Sequence, residues 1–368
     1  MENNNKETVV LTMDGGGTNL VFAAVADEYR IIDRFKISIA KKRHNLKVIL
    51  KSIISGFARL LEGLDTKPVA ISLGFPGPID AKKGIVGNLD NLPAFRGGVA
   101  LADMLKDYFH LPVFLNNDGD LFAMGEAIEG FLPFLNNELS KKGVSKRYNN
   151  LIGVTFGTGF GGGLISGQKI LQGDNSASGE INRFRNKLYP ESSVEESVSS
   201  RGLQRVYARE SGVEKKDIPH SHEIYRIAVD KKVGNTLAAL KAFEELAIVA
   251  GDAIANAISL IDAPVVIGGG ISAAQKLFLP GLVKEINSQF KQQDGENLPR
   301  TEVKAYNLET ENGIEKFFEK EEKELDVPFS QRSIMYNKKK KVGIGISKLG
   351  TDKAVFAGAY YIARQRLD

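Results

Sequence analysis

The chain has 368 residues, enough for two domains of ordinary size. Hydrophobic residues at 42% and charged residues at 26% exclude wholesale disorder, and 49 basic against 45 acidic side chains leave only +4, too weak to point to nucleic acid or a membrane surface. Cysteine is absent, which excludes disulfides, thiolate zinc sites, iron–sulfur clusters and cysteine nucleophiles.

The polar start, Met1 to Glu7, lacks the apolar core of a secretory signal. No apolar run approaches the roughly 18 residues of a spanning helix, so a cytoplasmic protein without membrane or nucleic-acid partners is expected. Val9 to Met13 reads as a buried strand, closed by Asp14-Gly15-Gly16-Gly17-Thr18. Asn19 to Ala26 and Arg30 to Ile39 read as two more strands, so that the glycine turn joins a meander. Leu46, Ile49, Ile53, Phe57, Leu60 and Leu64 recur at the helical period. Val69 to Leu73 is the next strand and ends in the breaker-rich Gly74-Phe75-Pro76-Gly77-Pro78. A helix at 99–109, a strand at 113–115 and a helical segment at 120–129 follow.

Past a polar stretch at 136–150 the plan restarts. Leu151 to Phe156 is a strand, 157–163 a glycine turn, and 164–165 with 169–171 a hairpin. Helices are expected at 194–209, 236–260 and 353–366, and a strand at 265–267 closed by Gly268-Gly269-Gly270. Residues 292–341 differ: nine of the thirteen residues from Ile314 to Asp326 are charged, and 338–341 are four lysines. Such runs fit a solvated surface better than an anion dock.

Three glycine-rich turns, each directly after an apolar strand, suit nucleotide phosphates, because backbone N–H groups converge on an anion with no Cβ in the way. The candidates are Gly16, Gly17, Thr18 and Asn19; Gly157, Thr158, Gly159 and Gly161; and Gly268, Gly269 and Gly270. A side chain at Gly159 is expected to occupy the anion's place. Asp14, a carboxylate beside a phosphate turn, suits Mg²⁺ held directly or through water; an Asx-turn residue is the other reading. The P-loop's Gly-Lys pair does not occur. The literal G-x-G-x-x-G at Gly157, Gly159 and Gly162 runs on into strand-like sequence rather than opening a helix, as a dinucleotide fingerprint must.

Asp118, at a strand end before a helical segment, suits a general base that accepts a hydroxyl proton as the oxygen attacks a γ-phosphate. Read alone, it fits an N-cap equally well. Asn117 beside it, and Glu180 after the second turn, offer the mixed donors and acceptors a polyol needs.

Together these segments resemble the ROK family of sugar kinases and repressors, of the actin-like ATPase superfamily. Asp14 to Thr18 resembles its D-x-G-G-T, Gly74 to Pro78 its G-x-P-G loop, and Asn91-Leu92-Pro93 its N-L-P segment. Asn117-Asp118 with Gly125-Glu126 resembles E-N-D-x-N-x-x-x-x-G-E, and Thr155 to Gly163 resembles T-x-G-T-G-I-G-G-G. Gly179-Glu180-Ile181 resembles the start of G-E-I-G-H, Val266 to Gly270 the adenosine-side strand and turn, and the Gly358-Ala359 helix the closing helix. The family's histidine contacts sugar and ligates a structural zinc, with a C-x-C-G-x-x-G-C cluster after it. Here Arg183 takes the histidine's place and cysteine is missing, so the zinc site is not expected.

The resemblance implies an α/β protein with the actin-like ATPase (ribonuclease H-like) fold, two lobes with mixed sheets and flanking helices. The lobes are expected at 1–117 plus 352–368, and at 118–351 with a charged insertion around 292–341. It implies a glucokinase-like, ATP- and Mg²⁺-dependent kinase of a hexose or hexose derivative, with Asp118 as base and Asn91, Asn117, Asp118, Glu180 and Arg183 at the sugar. A homodimer is implied as well. The alternative is a non-catalytic sugar-sensing member of the family, against which the retained Asp14 and Asp118 count.

Overall fold

The computed structural model describes residues 7–77, 79–87, 89, 92–337 and 339–367; Asn91, read above as a sugar contact, lies outside the described residues. The chain divides into two compact units, Met1–Gly130 with Gly163–Gly179 and Lys348–Asp368, and Phe131–Gly162 with Glu180–Ser347.

The first unit is built on a five-stranded sheet. β1 (Val10–Gly15), β2 (Asn19–Ala26) and β3 (Arg30–Ser38) form the antiparallel meander. On the other side of β1 lie β4 (Ala70–Phe75) and β8 (Val113–Asn117), both parallel to it. Between them come α1 (Leu46–Glu62), a small antiparallel sheet of β5 (Ile79–Asp80), β6 (Ile85–Val86) and β7 (Val99–Ala100), and α2 (Leu101–Phe109). Asn45 caps α1 by accepting the Val48 amide at 3.2 Å. The helix then buries Ile49, Ile53, Phe57 and Leu60 against Leu11, Met13, Phe22 and Leu73 on one face of the sheet.

The opposite face is covered by α3 (Asp118–Ile128) and α10 (Thr351–Leu367). Phe356, Tyr360 and Ala363 pack on Val10, Ala23, Val25 and Ala70. Burying a side chain such as Phe356 contributes roughly 1.5–3 kcal/mol. The two helices cross at their backbones: a Cβ on Gly125 would lie 1.9 Å from the Ala354 carbonyl oxygen, and one on Gly358 would lie 2.1 Å from that of Leu121. Glu126, fully buried, accepts the Lys348 and Leu349 amides at 3.2 and 3.1 Å, and so ties α3 to the segment that leads into α10.

In the second unit, α4 (Phe131–Lys141) precedes β9 (Leu151–Phe156) and the start of β10 (Phe160–Ser166). Past Gly163, β10 continues in the first unit, where Ile165 pairs with Ile170 of β11 (Lys169–Ile170). α5 (Ser200–Ser211), α6 (Ser221–Ala228) and α7 (Thr236–Ile261) lead to β12 (Val265–Gly268), parallel to β9. Then come α8 (Gln275–Ile286), the hairpin of β13 (Gln289–Lys291) and β14 (Asn297–Pro299), β15 (Lys304–Asn307) and α9 (Glu311–Phe318). A second hairpin, β16 (Glu322–Asp326) with β17 (Ser333–Asn337), is followed by β18 (Lys341–Ile346), which pairs in parallel with both β12 and β15. Each unit thus repeats one plan, a strand, a glycine turn, a returning antiparallel strand and further parallel strands. Residues 265–268 are all buried, as befits a central parallel strand.

Several sequence expectations need correction. The stretch 136–150 is not simply polar connection, because α4 occupies its first part. Phe131, Leu132, Leu135 and Leu139 bury one face while the polar residues face outward. β10 begins at Phe160, so Gly161 to Gly163 lie in a strand rather than in the turn. Helix 194–209 is two pieces, a 3₁₀ turn at Val194–Glu196 and α5, which Ser199 caps through the Gly202 amide. α6 and α8 were not anticipated. The charged segment is largely an exposed helix and hairpin, but Lys341 is not solvated. It is 6% exposed, and its Nζ donates to the Lys316 and Glu319 carbonyls at 2.9 and 3.0 Å and pairs with Glu321 at 3.1 Å.

The helix crossing yields a test. Gly358→Ala forces a methyl against the Leu121 carbonyl, and overpacking of this kind costs about 1–3 kcal/mol. Urea unfolding should show the loss as a lower midpoint with an unchanged slope.

Candidate active site

In the first unit the site grows from strand ends. β1, β4 and β8 run parallel, and their register sets Asp14 beside Gly74, and Gly74 beside Asn116. Asp14 therefore stands one strand away from the point where β8 passes into α3. β4 comes so close that a Cβ on Gly74 would meet the Asp118 Cα at 3.4 Å. The 14–18 turn follows, with Gly15 pressed against Phe75 and Thr18 exposed at the tip. Thr18 Oγ1 accepts from Asn19 Nδ2 at 3.2 Å.

Asn117 and Asp118 divide the work at the start of α3. Asn117 is the N-cap: its Oδ1 accepts the Gly119 and Asp120 amides at 2.8 and 3.2 Å. Asp118 is the first helical residue, and its Oδ1 also accepts the Gly119 amide at 2.8 Å. The capping role open to Asp118 on sequence is thus filled by its neighbour.

In the second unit, two glycine turns meet at one end of the sheet, because Gly268 is in register with Thr155 just before the 157–159 turn. Gly157 closes that turn by donating to the Gly159 carbonyl at 3.0 Å, and Thr158 is exposed at its tip. Gly269 has φ of +85°, and a Cβ there would lie 2.3 Å from the Phe156 carbonyl oxygen, so only glycine fits. Gly157 and Gly270 face open space. Gly159 does not, which corrects the expectation for that position: its Cβ would lie 2.4 Å from Glu195 Oε2 rather than in an anion's place. A Cβ on Gly161 would meet Thr155 Oγ1 at 2.5 Å.

Glu195 is a residue that sequence reasoning missed. Its Oε2 accepts the Phe160 amide at 3.0 Å and its Oε1 accepts from Arg201 at 2.6 Å, so a carboxylate rests directly on the glycine turn. It is 35 residues from its partner, and no spacing rule reaches that far. Glu180 and Arg183 flank a 3₁₀ turn in which the Arg183 amide donates to the Glu180 carbonyl at 3.0 Å. Their side chains make no hydrogen bond or ion pair among the described residues.

The carboxyl of Asp14 is pushed up from 3.8 to about 8, first by burial, then by the charges of Asp118 and Asp352, with Arg34 offsetting part of the rise. Arg34 itself pairs with Asp352. Among the described residues no group of three or more His, Cys, Asp or Glu could hold a metal ion. Asp14 nonetheless fits a cation that is ligated mainly by phosphate oxygens and water, since positive charge there offsets the repulsion that Asp118 and Asp352 exert on its carboxylate. An acid whose native value lies above its unfolded one stabilises the fold while protonated. That contribution is full below the unfolded value near 4 and is lost as pH rises through about 8. Without divalent cations, Asp14→Asn should therefore gain in melting temperature over the parent between about pH 5 and about pH 9. A difference that stays constant over that range would show that Asp14 is not perturbed.

No described helix is long and apolar enough to cross a membrane. The sequence model of the ROK family matches residues 10–315. The crystal structure of a glucokinase from Parabacteroides distasonis is 44% identical, with 99% of each chain covered and a TM-score of 0.86. A glucokinase of Halalkalibacterium halodurans is 28% identical over 300 residues, 76% of this chain and 84% of its own. A ROK family glucokinase from Streptomyces griseus, solved with glucose and AMPPNP, shares the fold at 21% identity and a TM-score of 0.65, with 97% of this chain and 99% of its own covered. With the repeated strand plan and the paired glycine turns, these matches establish that the chain belongs to the ROK family and has its actin-like ATPase fold.

Proposed function

We propose that this ROK sugar kinase transfers the γ-phosphoryl group of ATP to a hydroxyl of a hexose or hexose derivative, with Asp118 as general base. The observation that carries the reading is the start of α3. Asn117 does the capping, so the adjacent carboxylate is not needed for it. Asp118 is the first residue of α3, with Asp14 one strand away at the glycine turn. The glucokinase names of the relatives support a hexose acceptor, and the AMPPNP of the Streptomyces griseus structure supports ATP.

In this reading Asp118 takes the hydroxyl proton as the sugar oxygen bonds to the γ-phosphorus, and the bond to the β–γ bridging oxygen breaks to release ADP. On the same reading the turns at 14–19 and 157–159 lie on the phosphate side, and 268–270 lies on the adenosine side. Asp14 would hold Mg²⁺, which would supply neutralisation of the phosphate charge. The Asn117 amide, Glu180 and Arg183 take sugar hydroxyls; the last two carry no competing protein partner among the described residues. The working state is a cytoplasmic homodimer.

Asp118→Asn keeps shape and reach but cannot accept the proton, so kcat should fall by about 10²–10⁴-fold, the usual contribution of a positioned base. KM for sugar and ATP should move far less, and the melting temperature should hold because Asn117 still caps the helix. Full sugar-dependent turnover by the folded variant in a coupled ADP-release assay would overturn the reading.

A further inference from the structure

We propose that Glu245, on α7, is a positioning residue for the Gly157–Phe160 turn, acting through the segment Phe184–Ser197 that carries Glu195. The functional half of this proposal rests on the reading of that turn as a nucleotide phosphate site.

Glu245 is only 4% exposed, yet it is charged, and three donors converge on it. Its Oε2 accepts from Tyr189 Oη at 3.0 Å and from Arg209 Nη2 at 2.9 Å, and its Oε1 accepts from Ser197 Oγ at 3.2 Å. Arg209 also donates to Tyr189 Oη. Ser197 Oγ in turn accepts from Nδ2 of Asn186, itself fully buried, at 2.9 Å. Asn186 closes the segment on itself: its Oδ1 accepts the Leu188 and Tyr189 amides at 3.0 and 3.1 Å, and its own amide donates to the Ser192 carbonyl at 3.0 Å. Both ends of the segment's side-chain network therefore terminate on one carboxylate, which is fixed in the longest helix of the unit.

The segment and the helix that follows it reach the turn at one point each. Glu195 accepts the Phe160 amide, and Ser200, at the start of α5, donates its amide and its Oγ to the Gly157 carbonyl at 2.8 and 3.0 Å. Arg209, near the far end of α5, is the residue that binds Glu245. The turn is thus pinned from both sides by elements that Glu245 holds. A carboxylate suits this place because two oxygens accept several donors at once. Without it, the buried hydroxyl of Ser197 and the Asn186 amide lose their anchor, and the loop gains alternatives.

The test uses the full chain at a temperature well below unfolding, with Glu245→Ala and the milder Tyr189→Phe. Hydrogen–deuterium exchange of the peptide containing Gly157 to Phe160 should accelerate about tenfold or more in Glu245→Ala, and less in Tyr189→Phe, while β1 and β4 exchange as in the parent. KM for ATP should rise about tenfold with kcat within roughly threefold, the signature of lost ground-state binding. Glu245→Gln, which keeps an acceptor for Ser197, should recover part of both effects. If Glu245→Ala does not fold, the Tyr189→Phe and Glu245→Gln exchange rates decide. A folded variant with lowered melting temperature but parental exchange at 157–160 and parental KM would make the network a plain structural ion pair and overturn the proposal. If the parent protein neither binds ATP nor phosphorylates sugar, the kinase reading fails instead, and the exchange result still decides whether Glu245 positions the turn.

Discussion

The backbone contact between α3 and α10 fixes where Asp118 can be. Two helices that touch at Gly125 and Gly358 cannot slide or rotate by a residue without driving carbonyl oxygens into one another. α3 enters directly from β8, so its first turn is set by the sheet at one end and by this crossing in the middle. Glu126 adds a third restraint by taking two amides of the segment that enters α10. The candidate base is therefore held by rigid elements rather than by a loop, which is what proton transfer within a few tenths of an ångström requires.

That rigidity comes with an electrostatic cost. Parallel alignment of β1, β4 and β8 brings Asp14 to the neighbourhood of Asp118, and α10 adds Asp352 in its first turn. Burial first, and then the charges of Asp118 and Asp352, leave the Asp14 carboxyl far above its ordinary value, and Arg34, which pairs with Asp352, offsets only part of the rise. A purely structural arrangement would place an apolar or amide side chain at that position. Functional sites store such unfavourable charge because the ligand relieves it. A nucleotide with its divalent cation is a ligand of that kind.

Much of this was legible in the sequence. The strands at 10–15, 19–26 and 151–156 announce themselves as short apolar runs, and the helices at 46–62 and 236–261 by the spacing of their apolar faces. Asp14, Asn117 and Asp118 were legible because each sits at a strand end, a local feature. What stayed hidden depends on distant partners. α4 was obscured because its polar face resembles a linker when composition alone is weighed. The burial of Lys341 depends on the Lys316 and Glu319 carbonyls, and the direction of a Cβ at Gly159 depends on Glu195, 36 positions away. Glu245 looks like any glutamate of a long helix until the Phe184–Ser197 segment folds over it.

The segment between Arg185 and Glu195 raises a general point about ordering a loop that has no thiolates. A metal site ties a loop through a few strong bonds, and the ligands alone decide the geometry. Hydrogen bonds contribute a net of about 1 kcal/mol each, so an equivalent constraint needs many of them, each satisfied and shielded from water. That requirement explains the composition here. Asn186 supplies donor and acceptor in one side chain, Ser197 relays between amide and carboxylate, and Tyr189 adds an apolar body with a hydroxyl at its end. A buried carboxylate is unfavourable by itself, but three donors, the Arg209 guanidinium among them, offset its desolvation. The price is mutual dependence: a network whose members satisfy one another loses more than one bond when any single member is removed.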